Sequence, residues 1–266
     1  MQQLPLDPAT MPEDIRRFIH DQPFTTDSIG LSDSAVLIFD QMVLKIGPHT
    51  PAADHTVAAL RWLEGRLPVP QVLCYTHADG LAYLLMRRVP GEMSCSDRYM
   101  QTPEATTALL ADGLRMLWQV DTSACPFRNP LEADLADARR RIAEGLVDWP
   151  EGGAEGFATP DALLAWLEAN QPQEEPVFSH GDYCMPNVLF QDGAISGMID
   201  LGNAGVADRW LDIVDCYGSL ERNFGGAYGG PVYEDYSPDL LLACLGLTDD
   251  ASRAKLRYYR LLQLLY

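Results

Sequence analysis

The chain has 266 residues and carries 19 Lys and Arg against 38 Asp and Glu, a formal net charge of -19. Such an acidic balance disfavours nucleic acid and anionic membrane as partners, because both require a cationic face, and it draws cationic ligands by long-range attraction. At 47% apolar residues the chain is too rich in core formers to be a disordered acidic tail, and its length suits one large domain or two modest ones. The six cysteines form no C-x-x-C pair and have no histidine at metal-ligand spacing, so neither a zinc site nor a disulfide framework is expected. Reduced thiols, an N-terminus without a basic start or apolar core, and no apolar run near the roughly 18 residues of a membrane span predict a soluble, cytoplasmic protein.

In chain order, β-rich runs come first: 35–39, 42–46, 71–75 and 81–86, separated at Asp40-Gln41 and Asp79-Gly80 by residues that suit hairpin turns. One helix interrupts them at 52–64, where Val57, Leu60 and Leu63 recur at helical spacing. Pro90-Gly91 reads as a hinge. Beyond it the pattern predicts helices at 103–119, 131–144, 160–169, 208–221 and 252–265, several opened by a cap such as Thr102, Thr159 or Asp250. The expectation is an α+β chain: a small sheet lobe over 1–89 and a larger, mainly helical lobe over 90–266, with ligands favoured in the cleft between them.

One β-type stretch breaks the helical half. It runs from Val177 to Phe190, turns at Gln191-Asp192-Gly193, and continues to Gly202. Two short strands around Asp192-Gly193 make a hairpin in which Asn187 starts the first strand and Asp200 ends the second, so both lie at one open end beside the loop bearing Asp182. Two acids and an amide oxygen there are hard ligands of the kind that suit magnesium, which keeps several waters and is completed by substrate phosphates.

His180-Gly181-Asp182, with Asn187 five residues after the Asp and Asp200-Leu201-Gly202 following, resembles the catalytic loop and metal-binding turn of the protein-kinase-like superfamily. More closely, Trp62-Leu63-Glu64-Gly65-Arg66-Leu67-Pro68-Val69-Pro70, Ser179-His180-Gly181-Asp182, Ile199-Asp200-Leu201-Gly202 and Ala207-Asp208-Arg209-Trp210-Leu211-Asp212-Ile213 are similar to the aminoglycoside 3'-phosphotransferases, over about 29–266. The resemblance implies a two-lobe, protein-kinase-like fold, ATP as co-substrate, Mg2+ as cofactor and a cationic small-molecule acceptor. It implies that Asp182 orients the attacking hydroxyl and takes its proton, that Asn187 and Asp200 hold the metal, and that His180 and Asp212 brace the loop. Phosphoryl transfer passes through a loose transition state, so positioning matters more than basicity. It further implies that Lys45 anchors phosphates, that the loop 29–34 lies over them with the Ser32 hydroxyl, and that the Arg87 carbonyl and the Val89 amide meet adenine.

The chain also departs from that family. Thr56 stands where the lysine's glutamate partner is expected, with Asp54 two positions earlier; Asn203 replaces an Arg, and Val43 an aromatic that stacks on adenine in some relatives. On the acceptor side the corresponding regions offer Asp148 and Glu151, then Glu221 beside Arg222, then Leu264 where an acid is expected, leaving the terminal carboxylate of Tyr266. The leading expectation is phosphorylation of an aminoglycoside 3'-hydroxyl, giving antibiotic resistance. A kinase of the same fold acting on another cationic or amino-sugar alcohol is the runner-up, and a nucleotide-binding homologue of weak activity the third reading. The short span between Asp200 and Asp212 leaves no room for a protein kinase's activation segment.

Overall fold

The computed structural model describes residues 7–20, 22–26 and 34–266. In chain order its elements are α1 (Glu13–Ile19), β1 (Thr25–Thr26), β2 (Ala35–Ile38), β3 (Met42–Pro48), α2 (Pro51–Leu63), β4 (Val72–Ala78), β5 (Leu81–Arg87), β6 (Glu92–Met93), α3 (Asp97–Met100), α4 (Pro103–Trp118), α5 (Leu131–Ala143), α6 (Pro160–Ala169), β7 (Pro176–Ser179), β8 (Val188–Gln191), β9 (Ala194–Met198), β10 (Gly205–Asp208), α7 (Arg209–Phe224), α8 (Asp239–Leu245) and α9 (Asp250–Gln263). They fall into two compact units, Met1–Met93 with Asn187–Asn203 and Ser94–Pro186 with Ala204–Tyr266.

The first unit is built on an antiparallel sheet in the order β1-β2-β3-β5-β4. Successive strand residues face opposite sides, and β3 shows the consequence: Leu44 and Ile46 are fully buried while Lys45 between them is not. Leu44 and Ile46 join Leu37, Leu85 and Tyr83 in a core closed by Met11, Ile15 and Ile19. The last two come from α1, a helix too short for its period to stand out in the sequence; burying each contributes about 1.5–3 kcal/mol. Lys45 therefore points to the other side of the sheet, in register with Val36 on β2 and Leu84 on β5. Two turns have the left-handed backbone that tight hairpins demand. Asp79 and Gly80 have φ of 51° and 78°, and Asp192 and Gly193, between β8 and β9, have 50° and 77°. β8 pairs with β9 and, on its other edge, with β6.

The second unit gathers helices around α4, α7 and α9. Leu110, Leu114 and Leu117 of α4, Ile213, Val214 and Leu220 of α7, and Leu256, Leu261 and Leu262 of α9 are buried. Strands β7 and β10 form a two-stranded antiparallel ribbon, Ser179 opposite Gly205 and Phe178 opposite Val206. Asp208 ends β10 and caps α7, accepting from the Trp210 amide at 3.0 Å, and its other oxygen takes the Tyr259 hydroxyl at 2.7 Å. The chain thus enters α7 at a fixed point.

The expected helices and first-half strands are present, with shifted ends. Helix α7 starts one residue later than expected and runs on to Phe224, and α9 spans Asp250–Gln263 rather than 252–265. Its cap is Asp249, accepting from the Ser252 amide at 2.8 Å, rather than Asp250. Thr159 caps α6 as expected, but Thr102, with ψ of 68° rather than the extended backbone of a capping residue, makes no capping bond to α4 and turns its hydroxyl to the Tyr99 carbonyl at 3.5 Å. Among the described residues no helix is long and apolar enough to cross a membrane. All six cysteines are free thiols.

Gly91, just before β6, has φ of 110°, and a Cβ there would lie 2.6 Å from the Phe190 carbonyl oxygen. Gly91→Ala is expected to lower stability by about 2 kcal/mol, because the left-handed backbone and the clash with β8 act together. Urea unfolding of the two proteins measures it, and coincident midpoints would show that the turn relaxes freely.

Candidate active site

In the first unit the chemistry collects at the open end of the β8–β9 hairpin. Asn187 closes a 3-10 turn, Met185–Asn187, immediately before β8. Its carbonyl accepts the Ile199 amide at 2.9 Å, so Asp200 follows one residue beyond the last rung of the ladder, beside Asn187. Asp200 has φ of 62°, a left-handed conformation unusual for a residue other than glycine and characteristic of constrained functional turns. Its Oδ1 is 2.9 Å from Lys45 Nζ. The pair is half-exposed, so solvent screens it and its contribution to stability is small. What it fixes is geometry: the sheet's one outward lysine and the hairpin's acid share a hydrogen bond.

The anticipated alternative partner of Lys45 is engaged elsewhere. Asp54 accepts from the Tyr75 hydroxyl at 2.7 Å and lies 3.3 Å from His49 Nε2, and the Tyr75 hydrogen bond holds its carboxyl below the ordinary carboxylate range. Thr56 bonds back to the Ala52 carbonyl within its own helix at 2.9 Å. Its Oγ1 lies 3.4 Å from where a Cβ on Gly202 would stand, so α2 borders the turn that carries Asp200.

In the second unit, residues 179–185 follow β7 and lie along α7. Asp212, fully buried, accepts the His180 amide at 2.8 Å, the Gly181 amide at 2.9 Å and the Ser179 hydroxyl at 3.0 Å. Burial pushes its carboxyl above the ordinary value, against the pull of His180 and those three donors. One turn further on, Asp215 takes the Tyr183 amide, and Ser219 Oγ accepts the Met185 amide at 3.0 Å. Positions 212, 215 and 219 fall on one face of a helix. A polar stripe of α7 therefore reads the loop amide by amide, and Asp182 sits between the residues that Asp212 and Asp215 hold. Gly181, with φ of 78°, supplies the bend. His180 is buried edge-on against Tyr183, ring centroids 5.9 Å apart.

The other expected residues have varied surroundings. Ser32 lies outside the described residues. Arg87 ends β5, its amide bonded to the Gln71 carbonyl at 2.8 Å, and the half-buried Val89 packs on Gly197, where a Cβ would come within 2.2 Å of its side chain. Asp148 and Glu151 are exposed on the connection between α5 and α6. Glu221 is paired with Arg260 at 2.9 Å. At Tyr266 the backbone oxygen accepts from Arg141 at 2.8 Å, and the same guanidinium stands over the ring at 5.3 Å. Asp215 and Ser219 were not singled out from the sequence. The signal available was their spacing after Asp212, which a helix end placed at 221 leaves looking like ordinary polar positions.

Comparison with known proteins adds an independent line. The family model described as the phosphotransferase enzyme family matches residues 24–247. An aminoglycoside 3'-phosphotransferase of Niallia circulans is 35% identical over 256 residues, 93% of this chain and 94% of that protein. One from Enterococcus faecalis is 37% identical over 212 residues, 77% of this chain and 75% of that protein. Among solved structures, the aminoglycoside phosphotransferase APH(3'')-Id of Streptomyces rimosus in complex with ADP and streptomycin superposes with a TM-score of 0.74 at 25% identity, over 94% of this chain and 95% of that one. The fold is the kinase-like α+β arrangement of these enzymes.

Asp215 carries the most displaced acid of the loop's surroundings. Burial first, then the charges of Asp212 and Asp182, push it up to about 8 from an ordinary 3.8. Between those values the folded protein binds a proton that the unfolded chain releases, so this group's contribution to stability falls as pH rises through that window. Asp215→Asn, which cannot ionise, is expected to gain stability relative to the parent protein progressively from about pH 5 to pH 8. Thermal unfolding of both across that range checks it; a constant difference would mean the carboxyl is already ionised at the acid end.

Proposed function

Because the chain belongs to the phosphotransferase enzyme family, among its aminoglycoside 3'-phosphotransferases, we propose that it transfers the γ-phosphoryl group of ATP to the 3'-hydroxyl of an aminoglycoside, a reaction that confers resistance. The observation that carries this reading is the 2.9 Å contact between Lys45 and Asp200: a cation suited to nucleotide phosphates stands against the acid suited to the metal that accompanies them.

The roles follow from the chemistry of each group. Asp182 accepts the proton of the acceptor hydroxyl as its oxygen forms the new bond to phosphorus and the bond to the bridging oxygen of ADP breaks. Asp212, gripping residues 179–181, keeps that carboxylate aimed. Lys45 takes negative charge on the nucleotide, and the Arg87 carbonyl, the Val89 amide and Ser32 complete its binding. The Asn187 amide oxygen and the Asp200 carboxylate, hard donors on neighbouring positions, suit Mg2+. When bound, the ion neutralises charge building on the phosphates. Asp148, Glu151, Glu221 and the Tyr266 carboxylate face a cationic acceptor, for which Glu221 and the terminal carboxylate exchange their arginine partners. In this reading residues 1–89 hold the nucleotide, and 90–266 carry the catalytic loop, the metal hairpin and the acceptor side. Free thiols at all six cysteines fit the cytoplasm, where ATP is available.

ADP release from purified protein, ATP and Mg2+ over a panel of aminoglycosides, macrolides and amino alcohols tests the proposal. Turnover confined to deoxystreptamine drugs with a free 3'-hydroxyl is expected; turnover only with other alcohols would replace it by the broader small-molecule kinase. Asp182→Asn is expected to lower kcat by about 10² to 10⁴ with an unchanged melting temperature, and full retained activity removes Asp182 from the mechanism. Thr56→Glu places a second acid beside the Asp200 turn to share Lys45. It is expected to lower the KM for ATP by a few-fold, the scale of an ion pair worth about 1 kcal/mol, and an unchanged KM in a folded variant would count against the idea.

A further inference from the structure

We propose that Asp215 is a specificity-determining residue of the acceptor site, its carboxyl receiving an ammonium group of the acceptor beside Asp182. The inference rests on the reading of the chain as an aminoglycoside kinase and adds to it a residue that the resemblance to known relatives does not assign.

Three observations in the second unit support it. First, placement: Asp215 lies one turn along α7 from Asp212 and holds the amide of Tyr183, the residue after Asp182, and its charge is felt together with that of Asp182. Second, access: the residue as a whole is partly rather than fully buried, and its Oδ1 accepts the side-chain amide of Gln263 of α9 at 2.6 Å. Gln263 is exposed, and a neutral amide gives way to an ammonium donor at small cost. Third, charge: the titratable and charged groups facing Asp215 are Asp182 from the loop and Asp212, Cys216 and Arg222 from its own helix, with Gln263 contributing only a dipole. Carboxylates outnumber cations there, and Arg222 is also tied to the Tyr228 hydroxyl at 3.2 Å.

Burial, reinforced by that imbalance, raises the carboxyl to about 8. At neutral pH it holds its proton, which is the cheapest state for an acid crowded by two others. An arriving ammonium group reverses the preference: the proton leaves Asp215 for solvent, the carboxylate and the ammonium form a charge-assisted hydrogen bond, and no other bond changes. Recognition of the cation is therefore linked to pH, favoured as pH rises towards the value at which the empty site ionises by itself.

Steady-state kinetics of the full chain with ATP, Mg2+ and kanamycin A tests this. Asp215→Asn keeps a carbonyl oxygen for the Tyr183 amide and offers its N–H to the Gln263 side-chain carbonyl, but cannot ionise. It is expected to raise the KM for kanamycin about tenfold or more with kcat changed less than about threefold, the loss of one charge-assisted contact. The ratio of variant to parent KM is expected to grow from about pH 6.5 to pH 8.5, the acceptor's own titration cancelling in the ratio. Adding Gln263→Glu to Asp215→Asn returns a carboxylate to the same place and is expected to restore most of the affinity. A KM for Asp215→Asn within about twofold of the parent, or a fall in kcat alone that the double variant does not mend, would overturn the proposal and leave Asp215 as a loop-holding residue only. If the parent protein phosphorylates no aminoglycoside, the function itself is misread and this inference falls with it; the parent's activity in the same assay separates the two failures.

Discussion

A buried acid pointing at backbone is the constraint from which the active loop takes its shape. Asp212 is out of contact with water, and a carboxylate in that position is expensive unless it is fully hydrogen-bonded. It is satisfied by the Ser179 hydroxyl and two consecutive amides, those of His180 and Gly181. Consecutive amides can aim at one carboxylate only if the chain bends sharply, and Gly181 in the left-handed region provides the bend. The next side chain, Asp182, emerges in a direction set by that bend. Asp208, capping α7 and tied to Tyr259 of α9, fixes the helix on which Asp212 stands. The 179–183 loop thus takes its shape from a helix start and a ribbon together with the bend at its own Gly181.

The charge distribution shows two ways of placing acids in an acidic protein. On the surface, Arg139, Arg140 and Arg260 pair with neighbouring carboxylates, contacts that solvent screens heavily. Around the loop, acids are pushed together and satisfied by backbone, so that their excess charge is held in place. The same contrast separates Lys45 from its expected relatives. Without a glutamate on α2 it pairs with Asp200, the acid at the end of the β8–β9 hairpin.

Much of this was legible in the sequence. The strand expected at 42–46 carries Lys45 as β3, and the Asp-Gly dipeptides at Asp79 and Asp192 are the hairpin turns they suggested. The placement of Asn187 and Asp200 at one end of a hairpin could be read because spacing within a hairpin is a local property. What escaped was either short or long-range. Helices α1 and α8 are too brief for a period to register, although α1 closes the core of the first unit with Ile15 and Ile19. The cap of α9 at Asp249 rather than Asp250 was ambiguous because two adjacent aspartates both suit it. The loop-reading stripe of Asp212, Asp215 and Ser219 depends on which helix face meets which loop, and the partners of Asp54, Glu221 and Tyr266 are set by tertiary neighbours that no local pattern encodes.

The hairpin formed by β8 and β9 groups with the N-terminal residues, and among the described residues β6 pairs with β8 alone. During synthesis the N-terminal sheet therefore emerges from the ribosome long before the segment that finishes its unit. Until that ribbon arrives, Glu92 and Met93 have no edge to pair with, and Asp200 has not yet met Lys45. Assembly of the first unit must wait for most of the chain to be translated, which makes premature termination anywhere before the β8–β9 hairpin fatal to both units at once.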